Sequence, residues 1–402
     1  MNLKEIQPDV YYCGVNDRVS TLFEGLWPLP NGVSYNSYIV RGPEKTALID
    51  TVHEANTPEF FHALGVSGNA SEERVKIDYL IVNHMEPDHS GAIPLLLRAY
   101  PDLKIVANRV AIGMIKSFYG ISQPEVFLEI KDGDTLSLGE GMELKFLLTP
   151  MVHWPETMMT WLEARKTLFT GDAFGTFGAL DGGIVDDELD TELYRSEMYR
   201  YYSNIVGKYG VPVQRAMAKA LPLGAEWVCP THGPVWHTHL QEAVSLYDRL
   251  SRQEWEDGVT IIYGTMYGNT GEAADAIARR LKERGVKTVK VHNASHSTLS
   301  EMISDAFRYK GLIVGSPTYN GNLFPPVEAL MKSMEVREVK GKIFACFGNY
   351  AWAPAATKIL NDKGTALGWD NMGSFTVKMA MDSSAYDSAA GVADSVAEAL
   401  LS

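Results

Sequence analysis

The sequence predicts an α/β chain of two domains. At 402 residues it is too long for one ordinary core. Short apolar runs alternate with helical patterns along its whole length, which is typical of α/β folds. Near Val259 the pattern restarts with a strand, a glycine-rich turn and a helix. We place the boundary near Glu256, which predicts domains over 1–255 and 256–402.

The first domain is expected to interleave strands with helices. Two helical patterns cover Pro94–Tyr100 and Val110–Tyr119, and a polar helical stretch over Leu240–Asp257 closes the domain before Gly258. The apolar runs that predict strands are Ser34–Val40, Thr46–Asp50, Tyr79–Asn83, Lys104–Ala107, Leu144–Leu148, Thr167–Thr170 and Trp227–Cys229.

The second domain reads as a run of βαβ units. A strand at Val259–Tyr263 is followed by a helix at Glu272–Arg284 and a strand at Thr288–His292. A further helical stretch then leads to a strand at Gly311–Val314. About 145 residues is the size of one domain, and the βαβ pattern predicts a parallel sheet.

Composition and cysteine spacing exclude several classes of protein. The formal net charge of −14 argues against a nucleic-acid partner, because binding the phosphate backbone of a nucleic acid needs clustered Lys and Arg. The sequence shows no apolar signal segment and no apolar run of roughly 20 residues, so we expect no membrane span. Cys13, Cys229 and Cys346 form no C-x-x-C pair, which excludes a rubredoxin-type or zinc-ribbon site within this chain. We therefore expect a cytoplasmic protein.

The segment YLIVNHMEPDHS, residues 79–90, carries the densest group of metal-ligating side chains. Directly after its apolar run come four candidate ligands, His84, Glu86, Asp88 and His89. Loops that leave the carboxyl ends of neighbouring strands converge on one point. This segment therefore predicts a metal site at that edge of a sheet.

Three later segments place one candidate ligand each after a predicted strand. These are His153 in MVHWPET, Asp172 in LFTGDAFG and His232 in VCPTHGPVW. Taken singly, such residues are more often turn, capping or surface residues, and Asp88 is suited to cap a helix beginning near Gly91. Together, three acids and four histidines at strand ends predict a single metal cluster.

The order of these ligands resembles that of a known superfamily. It is similar to the metallo-β-lactamase pattern, except that Glu86 stands where that superfamily has its second histidine. A carboxylate there favours iron or manganese over zinc. The His-x-Glu-x-Asp-His motif looks like that of the flavodiiron proteins, also called A-type flavoproteins. The resemblance implies an αβ/βα sandwich that holds a non-haem diiron site.

The resemblance also implies a role for each ligand. In some family members the histidine at the position of His89 turns away and water replaces it. The segment RYYSNI puts Tyr201 where the family has a tyrosine near the irons, although a helix face that packs its aromatic residues explains the segment equally well. Carried over, one iron takes His84, Glu86 and His153, the other takes Asp88, His232 and His89, and Asp172 bridges them.

The second domain opens with a phosphate-binding type of loop. In VTIIYGTMYGNTGE a strand is followed by hydroxyl side chains and backbone amides at a helix N-terminus, which favours a phosphate. The loop lacks the G-x-G-x-x-G of dinucleotide folds and the Gly-Lys of P-loops, so a single phosphate monoester is favoured. Its candidate contacts are Thr265, Met266, Tyr267, Gly268, Asn269 and Thr270.

Two further loops follow later strands and offer small residues beside an aromatic ring suited to cover a flat cofactor. All three loops together resemble flavodoxin, which implies a doubly wound parallel sheet that binds FMN. Flavodoxins usually have Thr at the position of Tyr267. The additional candidate FMN contacts are Pro317, Thr318, Tyr319, Asn320, Gly321 and Asn322, then Gly348, Asn349, Tyr350, Ala351 and Trp352.

The flavodiiron resemblance implies an enzyme that reduces dioxygen to water, nitric oxide to nitrous oxide, or both. It further implies a head-to-tail homodimer, or a dimer of dimers, that brings each FMN beside the partner's irons. Since we see no rubredoxin module in the sequence, we expect electrons from a separate donor such as rubredoxin. Two alternatives stay open: a zinc hydrolase fused to a flavodoxin, and an electron carrier with a degenerate first domain.

Overall fold

A computed structural model describes residues 3–66 and 74–402. The chain divides into two compact units, Met1–Ser251 and Arg252–Ser402. The assignment of domains to 1–255 and 256–402 stays a prediction. Within the described ranges, no helix combines the length and the apolar character needed to cross a membrane.

The first unit is built from short strands and helices. The strands are β1 (Lys4–Gln7), β2 (Val10–Tyr12), β3 (Val15–Asp17), β4 (Leu22–Phe23), β5 (Trp27–Pro28), β6 (Val33–Tyr35), β7 (Tyr38–Arg41), β8 (Thr46–Ile49), β9 (Tyr79–Ile81), β10 (Lys104–Asn108), β11 (Phe127–Ile130), β12 (Thr135–Ser137), β13 (Glu143–Leu148), β14 (Met158–Leu162), β15 (Thr167–Gly171) and β16 (Trp227–Pro230). The helices are α1 (Thr57–Ala63), α2 (Pro87–Ser90), α3 (Ile93–Ala99), α4 (Arg109–Tyr119), α5 (Thr191–Tyr201), α6 (Gly210–Ala220) and α7 (Leu240–Ser251), and a π-helix covers Tyr202–Val206.

Two sheets form the core of this unit. One is seven-stranded, in the order β1-β2-β7-β8-β9-β10-β11, and the other is five-stranded, in the order β12-β13-β14-β15-β16. The ring of Tyr38 on β7 lies 5.4 Å from that of Phe169 on β15, so the two sheets pack on each other. The predicted αβ/βα sandwich is confirmed.

Two sequence-based elements are wrong. The expected strand Ser34–Val40 is broken into β6, which pairs with β3, and β7, which joins the large sheet. The break occurs at Asn36, whose backbone amide donates to the carbonyl of Thr231 at 2.7 Å, outside both ladders. Its side-chain amide donates to the carbonyls of Pro230 (2.9 Å) and Gly233 (2.8 Å).

The helix expected over Leu240–Asp257 ends early, at Ser251. Gln253 then adopts a left-handed backbone conformation (φ 56°), and the indole of Trp255 donates to the carbonyl of Lys340 at 2.9 Å. These features turn the chain out of the helix, and the next strand begins at Glu256.

The second unit holds one parallel sheet in the order β18-β17-β19-β20-β21. This is the flavodoxin-like strand order. Its strands are β17 (Glu256–Tyr263), β18 (Val289–Asn293), β19 (Tyr309–Pro317), β20 (Ile343–Tyr350) and β21 (Asp370–Lys378), and its helices are α8 (Asn269–Glu283), α9 (Leu299–Arg308), α10 (Pro325–Val336), α11 (Ala356–Ala366) and α12 (Ser383–Leu401).

Helices cover both faces of this sheet. On one face, Ile277 of α8 and Val396 of α12 share a buried cluster with Ile261 of β17. Phe307 of α9 and Leu330 of α10 are fully buried as well. The doubly wound parallel sheet is confirmed, and the loops that follow β17, β19 and β20 leave it at one edge.

Candidate metal centre and flavin site

All seven predicted metal ligands lie in the segments that follow the strands β9, β13, β15 and β16, and two of them, Asp88 and His89, lie in the short helix α2. Each of their side chains is buried. The polypeptide thus brings together residues that are up to 148 positions apart, counted from His84 to His232. These residues are His84, Glu86, Asp88, His89, His153, Asp172 and His232.

The seven residues form two adjacent groups. His84, Glu86, His153 and Asp172 offer ligand atoms that all lie within 4.8 Å of one another, and so do Asp88, His89 and His232. The candidate ligand atoms therefore lie in two groups, each large enough to hold one metal ion.

Asp172 faces both groups. Its Oδ2 lies 3.0 Å from His153 Nε2 and 3.6 Å from His84 Nε2. Its Oδ1 lies 3.0 Å from His89 Nε2 and 3.7 Å from His232 Nε2. One carboxylate oxygen thus points to each group, which is the arrangement that a bridging ligand requires.

Several ligand atoms are buried without a hydrogen bond. Among the described residues, both carboxylate oxygens of Asp88 and Nε2 of His232 have no hydrogen-bond partner, although Nε2 of His232 lies only 3.3 Å from Asp88 Oδ2. Buried polar atoms are nearly always paired. The oxygens of Asp88 and Nε2 of His232 lie close together without hydrogen-bonding geometry, as atoms directed at a common metal ion do. The seven residues therefore fit a pair of metals. The mixture of carboxylates and imidazoles fits iron.

Electrostatics within the cluster are strong. Burial alone raises the pKa of Asp88, but the neighbouring charges of His89 and His232 outweigh it and hold that pKa below its usual value. For His89, burial lowers the pKa, but Asp88 and Asp172 raise it to about 10. In the metal-free protein these groups carry opposite charges. Metal binding must therefore displace a proton from His89.

The outer nitrogens of the imidazoles have different partners. Nδ1 of His84 lies 2.8 Å from Oε1 of Glu156, and Nδ1 of His232 lies 2.7 Å from the carbonyl of Ser34. Nδ1 of His89 is buried and meets no hydrogen-bond partner in the described part of the chain. The sequence analysis missed Glu156 and Ser34. The only available signal was the carboxylate that follows His153 by three residues in HWPET.

Aromatic rings enclose the second group of ligands. The rings of Phe23, Tyr35 and Tyr201 lie 5.4, 5.6 and 5.4 Å from the ring of His232. The hydroxyl of Tyr201 is buried, and within residues 3–66 and 74–402 it has no hydrogen-bond partner. Tyr202 instead packs against Tyr247 at 4.9 Å. Tyr201 is thus the tyrosine of this segment that faces the cluster.

A second carboxyl group that the sequence did not reveal lies near Glu86. Glu24 sits in the turn between β4 and β5, where the indole of Trp27 donates to it at 3.0 Å. Partial desolvation of its carboxyl group and the neighbouring charge of Glu86 raise the pKa of Glu24 to about 7, although part of the residue is exposed to solvent. No motif marks this residue, because the turn contacts the ligands only through the tertiary fold.

The first flavin loop, residues 265–270, joins β17 to α8. Gly268 has φ 100°, a conformation that favours glycine, and its amide donates to Thr265 Oγ1 at 3.0 Å. The hydroxyl of Thr270 is buried and lacks a hydrogen-bond partner among the residues described. A phosphate at the N-terminus of α8 would satisfy it, so the loop fits FMN.

The second and third flavin loops are tied to each other. The amide of Thr318 donates to the carbonyl of Asn349 at 2.8 Å, and its hydroxyl accepts from the amide of Ala355 at 3.1 Å. The side chain of Trp352 is 92% exposed and that of Tyr319 is 40% exposed. Uncovered aromatic rings beside these loops are what a planar ring system needs as partners.

Comparisons with known proteins agree with this geometry. The family model described as ODP family beta lactamase matches residues 33–233, and the flavodoxin model matches residues 261–391. The anaerobic nitric oxide reductase flavorubredoxin of Escherichia coli is 34% identical over 388 residues, which cover 95% of this chain and 79% of the relative.

Solved structures extend the likeness to the whole chain. The rubredoxin oxygen:oxidoreductase of Desulfovibrio gigas superposes with a TM-score of 0.92 at 29% identity and covers 99% of this chain and 98% of its own. A mutant of the flavo di-iron protein of Thermotoga maritima gives 0.87 at 26% identity, with 99% and 98% covered. The chain therefore belongs to the flavodiiron protein family, oxidoreductases whose cofactors are FMN and two iron ions.

Proposed function

We propose that the chain reduces dioxygen to water, nitric oxide to nitrous oxide, or both, at its diiron centre. The observation that carries this proposal is the pair of ligand groups that share Asp172 and include the carboxylate of Glu86. The named activities of the relatives support both substrates, since one is a nitric oxide reductase and one an oxygen oxidoreductase.

The proposed ligands divide between the irons as the two groups do. One iron is held by His84, Glu86 and His153, the other by Asp88, His89 and His232, and Asp172 bridges them. When bound, the irons supply a binding place for a diatomic gas and one-electron redox steps, and FMN supplies the electrons. His89 is the weakest ligand of the seven, because its outer nitrogen has no hydrogen-bond partner among the described residues to fix the ring.

The chain's own residues shape this site in three ways. Glu156 and Ser34 orient the imidazoles of His84 and His232 through their outer nitrogens. Phe23 and Tyr35 place apolar ring surface against His232, which excludes water from the ligands. The hydroxyl of Tyr201 is available to donate a hydrogen bond to a bound gas molecule, which matches its position beside the same histidine.

FMN is proposed to bind with its phosphate in the first flavin loop and its ring between the second and third. The contacts are those expected from the sequence in residues 265–270, 317–322 and 348–352. Thr270 anchors the phosphate, and Tyr319 and Trp352 cover the ring. The electron donor is a separate rubredoxin-like protein, in line with the name of the Desulfovibrio gigas relative.

We further propose a head-to-tail homodimer in the cytoplasm, because the family resemblance implies that each FMN serves the partner's irons. Light scattering combined with turnover measurements at increasing dilution tests this arrangement. We expect turnover per chain to fall as the dimer dissociates. A fully active monomer would contradict it.

One experiment tests the function itself. The purified protein is reduced anaerobically, its iron, zinc and FMN are quantified, and its consumption of dioxygen and of nitric oxide is compared. We expect two irons and one FMN per chain and consumption of at least one of the gases. Two zinc ions together with esterase or thioesterase activity would instead support the hydrolase alternative.

A further inference from the structure

The two ligand groups are alike in their own charges. Each supplies two imidazoles and one carboxylate of its own, and Asp172 turns one oxygen to each. The ligands alone therefore give neither metal a greater negative charge. Any difference in redox behaviour has to arise from the surroundings of the ligands.

Glu156 is the charged side chain that makes the surroundings of the two ligand groups different. It is buried, with 1% of its surface exposed, and its Oε1 lies 2.8 Å from Nδ1 of His84. Nδ1 of the comparable imidazole in the other group, that of His232, lies 2.7 Å from the neutral carbonyl of Ser34 instead. A carboxylate that accepts a hydrogen bond from a metal-bound imidazole raises the donor strength of that ligand, whereas a carbonyl does so less.

Glu156 is also fixed firmly enough to orient its partner. The amide of Met85 donates to the same Oε1 at 2.9 Å, and the side chain of Asn108 donates to the backbone carbonyl of Glu156 at 2.6 Å. Because Oε1 accepts from an amide as well as facing the imidazole, it acts as an acceptor. Nδ1 of His84 therefore carries the proton, which leaves Nε2 as the atom that faces Asp172 and Glu86.

We propose that Glu156 is a positioning residue that makes the iron held by His84 the harder of the two to reduce. This inference rests on the proposed diiron function. With iron and FMN bound, the ion held by the Asp88 group would accept the first electron from reduced FMN, and the ion held by the His84 group would accept the second. In the half-reduced protein the ferric ion would then lie beside Glu156.

The test is a redox titration of the full-length, iron-loaded protein, followed by electron paramagnetic resonance of the half-reduced state. Glu156→Gln keeps the size of the side chain and an acceptor for both hydrogen bonds but removes the charge. We expect only the lower of the two iron potentials to rise. The equilibrium constant that favours the half-reduced state should fall by about tenfold, the lower end of the effect that altering an outer partner has on metal affinity or activity.

Asp186→Asn is the matched control. Asp186 is an equally buried carboxylate of the first unit, but it accepts from the backbone amides of His237, Thr238 and His239 (3.1, 3.1 and 2.7 Å) and hydrogen-bonds no imidazole in the part of the chain described. Asp186→Asn should leave the separation of the potentials unchanged. An equal shift in both variants would overturn the inference, since it would show a general charge effect.

The remaining outcomes separate the inference from the function on which it rests. A two-iron Glu156→Gln protein with unchanged potentials, or with a shift of the higher potential alone, overturns the inference and leaves the function standing. A wild-type protein that binds no iron overturns both. Glu156→Asp, which restores the charge, should recover part of the separation between the potentials.

Discussion

Removal of the metals should destabilise the first unit and leave the second unchanged. The buried oxygens of Asp88 and Nε2 of His232 have no hydrogen-bond partner among the described residues. Once the metals are chelated, these atoms are neither coordinated nor solvated. The flavodoxin-like unit, Arg252–Ser402, contributes none of the proposed ligands, so its stability should not depend on metal.

The size of the effect follows from these atoms. A buried polar atom left unsatisfied costs about 1–3 kcal/mol, so the three atoms together cost roughly 3–9 kcal/mol. Mass action gives a similar figure, because a ligand at about 1,000 times its Kd stabilises the folded state by roughly 4 kcal/mol. For a domain of this size, a loss of about 4 kcal/mol corresponds to a fall in Tm of about 8–16 °C.

Differential scanning calorimetry of the iron-loaded and chelated protein measures this change. We expect the transition of the first unit to move to lower temperature while that of the second unit stays in place. His237→Gln serves as a control, because His237 stacks on Trp227 at 3.8 Å and belongs to neither ligand group. Identical scans before and after chelation would refute the assignment of these residues to metal.

Three further predictions concern single side chains. Glu86→Ala should abolish gas reduction and leave the flavin absorbance intact, whereas the exposed Glu59→Ala should change neither; turnover retained in Glu86→Ala would contradict the ligand role. Thr270→Val removes a hydrogen bond to a charged phosphate and should weaken FMN binding by about 1.5–3 kcal/mol, measured by flavin fluorescence; an unchanged Kd would exclude that contact. Burial holds the pKa of Lys342 well below its ordinary value of 10.5. The unfolded chain then binds more protons, so stability of the second unit should rise with pH towards 10.5, by up to about 1.4 kcal/mol per pH unit, and Lys342→Met should remove this slope in urea unfolding at pH 7 and 9.

The sequence predicted the fold class, and it predicted that the seven candidate ligands lie close together, because both depend on local signals. The division of these residues between two irons comes from the family resemblance and stays a proposal. Each ligand follows an apolar strand, and the ends of parallel strands meet at one edge of a sheet. The same holds for the flavin loops, where Gly268 marks the backbone conformation that the turn requires. Strand boundaries were mostly correct to within a few residues for the same reason.

Features that depend on tertiary contacts were not predictable. The break at Asn36 arises from hydrogen bonds to Pro230 and Gly233, nearly 200 residues away. Glu156 and Glu24 reach the ligands only after the sheets have packed. Glu24 lies in no motif, and the position of Glu156 three residues after His153 does not reveal its contact with His84. The residues that tune the centre are thus less visible in sequence than those that form it.

The bonds from Asn36 to Pro230 and Gly233 also bear on how the protein matures during synthesis. The first ligand group consists of His84, Glu86, His153 and Asp172, so its last residue to be synthesised is Asp172. The last residue of the second group is His232. His232 follows β16, the strand of the five-stranded sheet that comes last in the chain. Asn36, from an early part of the chain, hydrogen-bonds to the segment around His232. All seven proposed ligands precede the first flavin loop in the chain and none lies in the second unit, so the residues that would bind iron are synthesised before those that would bind FMN.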